Sequence, residues 1–253
     1  MLNIERKEKI LNLLYKEGKV EVNNLSKMFN VTGATIRRDL RDIEKKGIIE
    51  RAYGGAIIKK GTLYEPSFKN QLETFINEKE KIANEAAKLI SEGDAIFLDS
   101  STTVLYILKN IKMTLNITVV TNSIPIAYEL SHHKNIELII LGGVVRTKTG
   151  TIVGPIAEKN IKEFKIDKAF LGISAINIKG EMTDPNIYEA QMKKNIIEVS
   201  RTIIGVTDHS KFGKESFSFV AHVSKLNKII TDKKIPSDFI KMIKKAKIEL
   251  IRV

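Results

Sequence analysis

The chain has 253 residues, 43% hydrophobic and 28% charged, with a formal net charge of +12 and no cysteine. Without cysteine it has no disulfide framework, thiol nucleophile or cysteine metal site. Its start, MLNIERKEK, is charged, and no apolar run approaches the roughly eighteen residues that span a bilayer. A cytoplasmic protein with no membrane partner is expected. The charge is uneven: residues 1–60 hold 14 basic and 8 acidic side chains, residues 225–253 hold 9 and 3, and the middle is balanced.

The first apolar stripe is Ile10, Leu13 and Leu14, and Gly18 separates it from a second, Val22, Leu25, Met28 and Phe29. Asn30-Val31 makes a short turn into a third helix that Thr32 can cap. In that helix Ile36, Leu40 and Ile43 share a face, while Thr35, Arg37, Arg38 and Arg41 lie off it, free for a partner. Gly47 is the expected C-cap. Ile48–Arg51 then reads as a strand, with Gly54-Gly55 reversing the chain in a hairpin. Three helices in under fifty residues, the last basic, followed by a glycine-tipped hairpin, describe a winged helix-turn-helix. A small helical bundle with solvated arginines would share the spacing. Arginine usage favours DNA: five of the eight arginines (Arg6, Arg37, Arg38, Arg41, Arg51) fall in the first 60 residues. A guanidinium binds phosphates and guanine edges bidentately, as an ammonium does not.

ERKEKILNLL, followed by VEVNNLSKMFNVTGATIRRDLRDIEKKGIIERAYGGA, resembles the N-terminal signature of DeoR-family bacterial transcription regulators. Thr32-Gly33 departs from it, since the family more often has a serine followed by a non-glycine residue. The resemblance implies that Thr32, Thr35, Arg37, Arg38 and Arg41, with Arg51 and Tyr53 on the wing, contact double-stranded operator DNA. The head is read as residues 1–57 and a linker as 58–77, on the strength of Lys-Lys-Gly, Pro66 and polar side chains.

From residue 78 the chain alternates. Strand-like runs at 95–98, 117–121, 136–141, 168–173, 202–207 and 228–231 are interleaved with helical segments such as 124–130 and 187–199, which implies a mainly parallel α/β sheet covered on both faces. Ligands bind such sheets beyond the carboxyl ends of the strands. The first run ends in Asp99-Ser100-Ser101-Thr102-Thr103 and enters a helix, an arrangement that suits a phosphate but is also an ordinary cap. The second ends in Thr121-Asn122, the third in Gly142-Gly143, and a later one carries Asp208 and Lys211. Lysines at 241, 244, 245 and 247 read as the solvated face of an amphipathic helix.

FLDSSTT, VVTNS, LGG, DKAFLGIS and TDHSKFG follow the order and rough spacing of the DeoR-family effector domain, which is similar in fold to ribose-5-phosphate isomerase. The match covers nearly the whole chain. The resemblance implies that Ser100, Ser101, Thr102 and Thr103 hold a phosphate beside Thr121 and Asn122, with Asp99, Glu189 and Lys211 facing a sugar. The family usually has glycine where this chain has Ser101; if that glycine makes an anion nest with positive φ, serine weakens or reshapes the site. Adjacent His132-His133 chelate poorly and His209 and His222 have no carboxylate at ligand spacing, so neither metal nor cofactor is expected.

The reading is a DNA-binding regulator, a repressor by the family's habit, released by a phosphorylated sugar and working as a homodimer or higher oligomer. The alternative is an aldose–ketose phosphate isomerase carrying a DNA-binding head, with Glu189 as its base and Asp99 or Lys211 polarising the carbonyl.

Overall fold

The computed structural model describes residues 2–45, 49–58 and 61–253. They form two compact units, Met1–Tyr64 and Glu65–Val253.

In the first unit, α1 (Asn3–Glu17), β1 (Lys19–Glu21), α2 (Val22–Phe29), α3 (Gly33–Glu44), β2 (Ile49–Ala52) and β3 (Gly55–Ile58) follow in order. Gly18 takes the left-handed conformation that ends α1, its N–H donating to Leu14 O at 2.8 Å. Asn30 (φ 50°) does the same for α2. The Thr32 side chain caps α3 by accepting from Thr35 N at 3.2 Å. Ile10, Leu14, Val22, Leu25, Ile36, Leu40 and Ile43 are all buried. Met28 is not: at 60% exposed it lies off the stripe assigned to it. The helix end expected at Gly47 and the strand start at Ile48 lie outside the described residues.

β2 and β3 form the hairpin, and β1 joins it as a third antiparallel strand in the order β1-β3-β2. Both tip glycines are required. Gly54 has φ +82°, and a Cβ on Gly55 would stand 2.1 Å from Val20 O.

The second unit begins inside the expected linker. Residues from Glu65 pack with it and include α4 (Phe68–Leu72) and the first turn of α5 (Ile76–Ala87). There follow β4 (Ala95–Leu98), α6 (Thr102–Ile107), β5 (Ile117–Thr121), α7 (Ile124–Leu130), β6 (Ile136–Ile140), β7 (Val144–Arg146), β8 (Thr151–Val153) and α8 (Pro155–Ile161). The remainder is β9 (Ile166–Gly172), β10 (Ala175–Ile176), β11 (Glu181–Asp184), α9 (Ile187–Val199), β12 (Ser200–Val206), β13 (Ser218–His222), β14 (Lys228–Thr231), α10 (Ser237–Lys245) and β15 (Glu249–Arg252).

Seven strands form one sheet in the order β15-β14-β12-β9-β4-β5-β6, parallel throughout. Alternation along each strand feeds two cores. Phe97 joins α8, α9 and α10 on one face, while Ile96 and Leu98 join α5, α6 and α7 on the other. The chain order runs outward from β4 in one direction and from β9 in the other, so the β4/β9 boundary is the topological switch point, the position beyond which open α/β sheets bind ligands. Two small antiparallel assemblies, β7-β8 and β10-β11-β13, complete the unit; they and β15 lay outside the strand pattern read from the sequence.

Candidate functional site

Two surfaces answer to the sequence. On the first unit, burial of Ile36, Leu40 and Ile43 leaves Arg37, Arg38 and Arg41 exposed along α3, and Tyr53 fully exposed at the hairpin tip. Two of the five arginines are committed within the fold. Arg6 is buried and bidentate to Asp39 (Nε–Oδ2 2.6 Å, Nη2–Oδ1 3.2 Å), tying α1 to α3. Its place among the arginines counted toward DNA is therefore corrected: the guanidinium geometry serves the fold. Arg51 donates to Glu44 at 2.5 Å, which holds the wing to the end of α3 and lowers the Glu44 pKa. The Thr32 and Thr35 hydroxyls lie 3.0 Å apart at the start of α3.

The second surface is a buried polar cluster at the switch point. Asp99, a residue only 1% exposed, follows β4, and its carboxylate accepts from Gly172 N, at the end of β9, at 3.0 Å. Burial pushes the Asp99 pKa up, against the pull of Lys193 at 3.9 Å. Lys193 reaches in from α9. Burial works against its charge, but Asp184 at 2.8 Å, Asp99 and Glu189 outweigh it and raise its pKa. Asp184 is lowered by the same pair despite its own burial. Ser174 donates to Asp184 at 2.8 Å.

A hydroxyl chain runs from this point. Ser100 Oγ and Thr151 Oγ1 are 3.0 Å apart, and Thr151 Oγ1 and Thr149 Oγ1 are 2.9 Å apart. Thr149 Oγ1 then donates to Glu189 Oε1 at 2.9 Å. Glu189, in the first turn of α9, also accepts from Arg146. Burial and the neighbouring Asp184 raise its pKa, although Lys193 and Arg146 oppose them.

Ser101 N-caps α6, its Oγ accepting from Val104 N at 3.1 Å, which leaves the N–H groups of Thr102 and Thr103 without an intrahelical partner. Its backbone is extended, φ −91° and ψ 152°. The concern that serine replaces a positive-φ glycine there is thereby corrected: the position suits any L residue. The glycine this loop does require is Gly172, whose Cβ would stand 2.1 Å from the Ser101 Cβ.

The other expected residues divide. Thr121 Oγ1 donates to Leu98 O at 2.7 Å, pinning β5 to β4. Asn122 donates to Ile152 O at 3.5 Å, and its buried Oδ1 has no hydrogen-bond partner among the described residues. Thr102 and Thr103 are buried at the start of α6. Lys211 sits elsewhere in the contact pattern. It faces Asp208, whose pKa it lowers against burial, and the buried Lys79. Among the described residues no hydrogen bond or ion pair joins it to Asp99 or Glu189. Desolvation, with Lys211 adding repulsion, drops the Lys79 pKa to about 7. Among the histidines, His209 Nδ1 does find a carboxylate, Asp232 at 3.0 Å, though from 23 residues away.

Sequence reasoning missed Lys193, Asp184, Arg146, Thr149, Thr151 and Glu65. Lys193 could have been found, since it lies four residues after Glu189 on one helix face. Arg146, one of three arginines beyond residue 60, also carried a compositional signal.

Comparison with known proteins decides the family. A DeoR-like helix-turn-helix domain matches residues 6–62, and the DeoR C terminal sensor domain matches residues 74–233. The chain belongs to the DeoR family. A putative aga operon transcriptional repressor of Escherichia coli O157:H7 is 35% identical over 251 residues, covering 98% of this chain and 93% of its own length. The glycerol-3-phosphate regulon repressor of Escherichia coli K12 is 30% identical over 232 residues, 92% of each. A ribose 5-phosphate isomerase A from Methanocaldococcus jannaschii aligns over 53% of each chain at 18% identity and a TM-score of 0.39, and the family assignment does not lean on it. This DeoR-family regulator thus carries a DNA-binding head and a sensor domain.

Proposed function

We propose that this regulator is a repressor of carbohydrate-metabolism genes whose hold on operator DNA is released by a phosphorylated sugar. The buried cluster at the β4/β9 switch point carries the reading. It combines free N–H groups and hydroxyls at the start of α6 with carboxylates and a lysine that can take sugar hydroxyls. A phosphate fits the first set, and Asp99, Glu189, Lys193 and the orphan Asn122 Oδ1 offer partners to a polyol. On the head, Arg37, Arg38 and Arg41 with Thr35 read the major groove while Tyr53 and Arg51 meet the backbone. Thr32 orients the start of the recognition helix. The sensor reading is supported by relatives named as transcriptional repressors, one of them of a glycerol-3-phosphate regulon.

Linkage sets the thermodynamics: an effector that weakens operator binding is itself bound more weakly by the DNA complex, by the same factor. Paired half-sites call for a homodimer or higher oligomer. Fluorescence anisotropy on the gene's own upstream DNA, at fixed salt, tests the proposal by titrating phosphorylated sugars against their unphosphorylated forms. Release by one phosphorylated sugar alone is expected; binding that no sugar phosphate moves would refute it. The isomerase alternative has less support, because relatives that match over more than nine-tenths of the chain are named as transcriptional repressors. Turnover of any sugar phosphate that Glu189→Ala abolishes would restore it.

A further inference from the structure

Arg146, at the end of β7, serves two buried carboxylates with one guanidinium. It is bidentate to Glu65 (Nη1–Oε1 2.9 Å, Nη2–Oε2 2.7 Å), and the same Nη1 also donates to Glu189. Glu65 is the residue at which the second unit begins, one peptide bond after Tyr64. Its neighbours are docked on the same hairpin: Phe68 N donates to Lys148 O at 3.2 Å, and Lys148 Nζ lies 3.6 Å from Glu65. Glu189 is the inner end of the hydroxyl chain that starts at Ser100. A continuous set of polar contacts therefore runs from the loop after β4, through Thr151, Thr149, Glu189 and Arg146, to the first residue after the DNA-binding unit.

We infer that Arg146 passes occupancy of the sensor site to residues 65–72 by exchanging carboxylate partners. The inference rests on the sugar-phosphate reading of that site. The two N–H bonds of Nη1 can meet both acceptors, but the guanidinium carries a single positive charge in one position, and in a low-dielectric setting two like-charged carboxylates drawn to it oppose each other's hold. A ligand hydroxyl that donates to Glu189 takes over that carboxylate, and Arg146 then pairs with Glu65 alone. Charge-assisted bidentate pairs are the stronger and more directional kind, so the segment 65–72 tightens on the β7–β8 hairpin. Because Glu65 is joined directly to Tyr64, tightening it restricts the orientations that the chain entering the second unit can take. The same linkage runs backward: loss of Glu65 hands Arg146 wholly to Glu189 and makes that carboxylate harder for a sugar to claim.

Hydrogen-exchange mass spectrometry on the full chain tests this in two arms. In the first, no ligand is present and Glu189→Gln stands in for occupancy by removing the competing charge. Exchange of amides 65–72 is expected to slow several-fold relative to wild type; unchanged or faster exchange overturns the inference. In the second arm, a panel of phosphorylated sugars is titrated by calorimetry into wild type and Glu65→Gln, with exchange followed for any that binds. Slower exchange at 65–72 in wild type, lost in Glu65→Gln together with a several-fold drop in affinity, supports the exchange of partners. Binding with no change at 65–72 overturns it and leaves the effector reading intact. Binding by no sugar phosphate removes the effector reading, and the first arm alone then decides whether the Arg146 exchange stands.

Discussion

The two units place their functional side chains in opposite ways. In the head, Arg37, Arg38 and Arg41 point to solvent from a helix whose other face is filled by Ile36, Leu40 and Ile43. In the sensor unit Asp99, Glu189 and Lys193 are buried and held by partners from other segments. A surface that meets a macromolecule needs only a scaffold and free charges. A site that discriminates small polyols needs charges held in place, and each of those must be compensated within the fold.

The sharpest way to break this contrast is at the one place where the head behaves like the sensor. Arg6→Ala leaves Asp39 buried without its partner and is expected to cost about 3 kcal/mol, read as earlier unfolding of the first unit in urea. A cost near zero would show the pair to be replaceable by water. Next in size, Arg37→Ala and Arg38→Ala should each lose about 1–3 kcal/mol of operator affinity with thermal unfolding unchanged. Arg51→Ala should lose less, because Glu44 already competes for it.

The sensor unit can be probed through Lys79. Its pKa of about 7 in the fold lies below the ordinary 10.5, so between those values the unfolded chain binds more protons and stability rises with pH. Lys79→Met should flatten that rise and stabilise the chain at pH 7 by about 1 kcal/mol, a result that denaturant midpoints from pH 6 to 10 would read. The smallest effect is expected at Ser101. Because its φ is extended, Ser101→Gly should cost only about a few tenths of a kcal/mol through the cap and bring no gain in sugar-phosphate affinity. A large gain in affinity would revive the anion-nest idea.

What could be read in advance follows from range. The head's helices, the Thr32 cap and the glycine-tipped hairpin depend on residues within a few positions of one another, and local periodicity displays them. The strands at 95–98 and 117–121 were legible for the same reason, and so were the polar residues at their ends. Met28 was misplaced because a stripe in a short helix fixes a face without fixing how far the core extends. Arg6 was misread because its partner lies 33 residues away.

The sequence by itself determined the family, the two-part organisation and the alternation that makes a parallel sheet, since each is written in local pattern and motif. Only the tertiary structure decided that β4 and β9 are neighbours, which sets Asp99 against Gly172 at the switch point. It also decided that Lys193, Asp184, Arg146 and Thr149 close around Glu189, and that Lys211 keeps company with Lys79 and Asp208. Those groupings join residues tens of positions apart, and what brings them together is strand order and the need of each buried charge for a counter-charge. Neither leaves a signature at any one position of the chain.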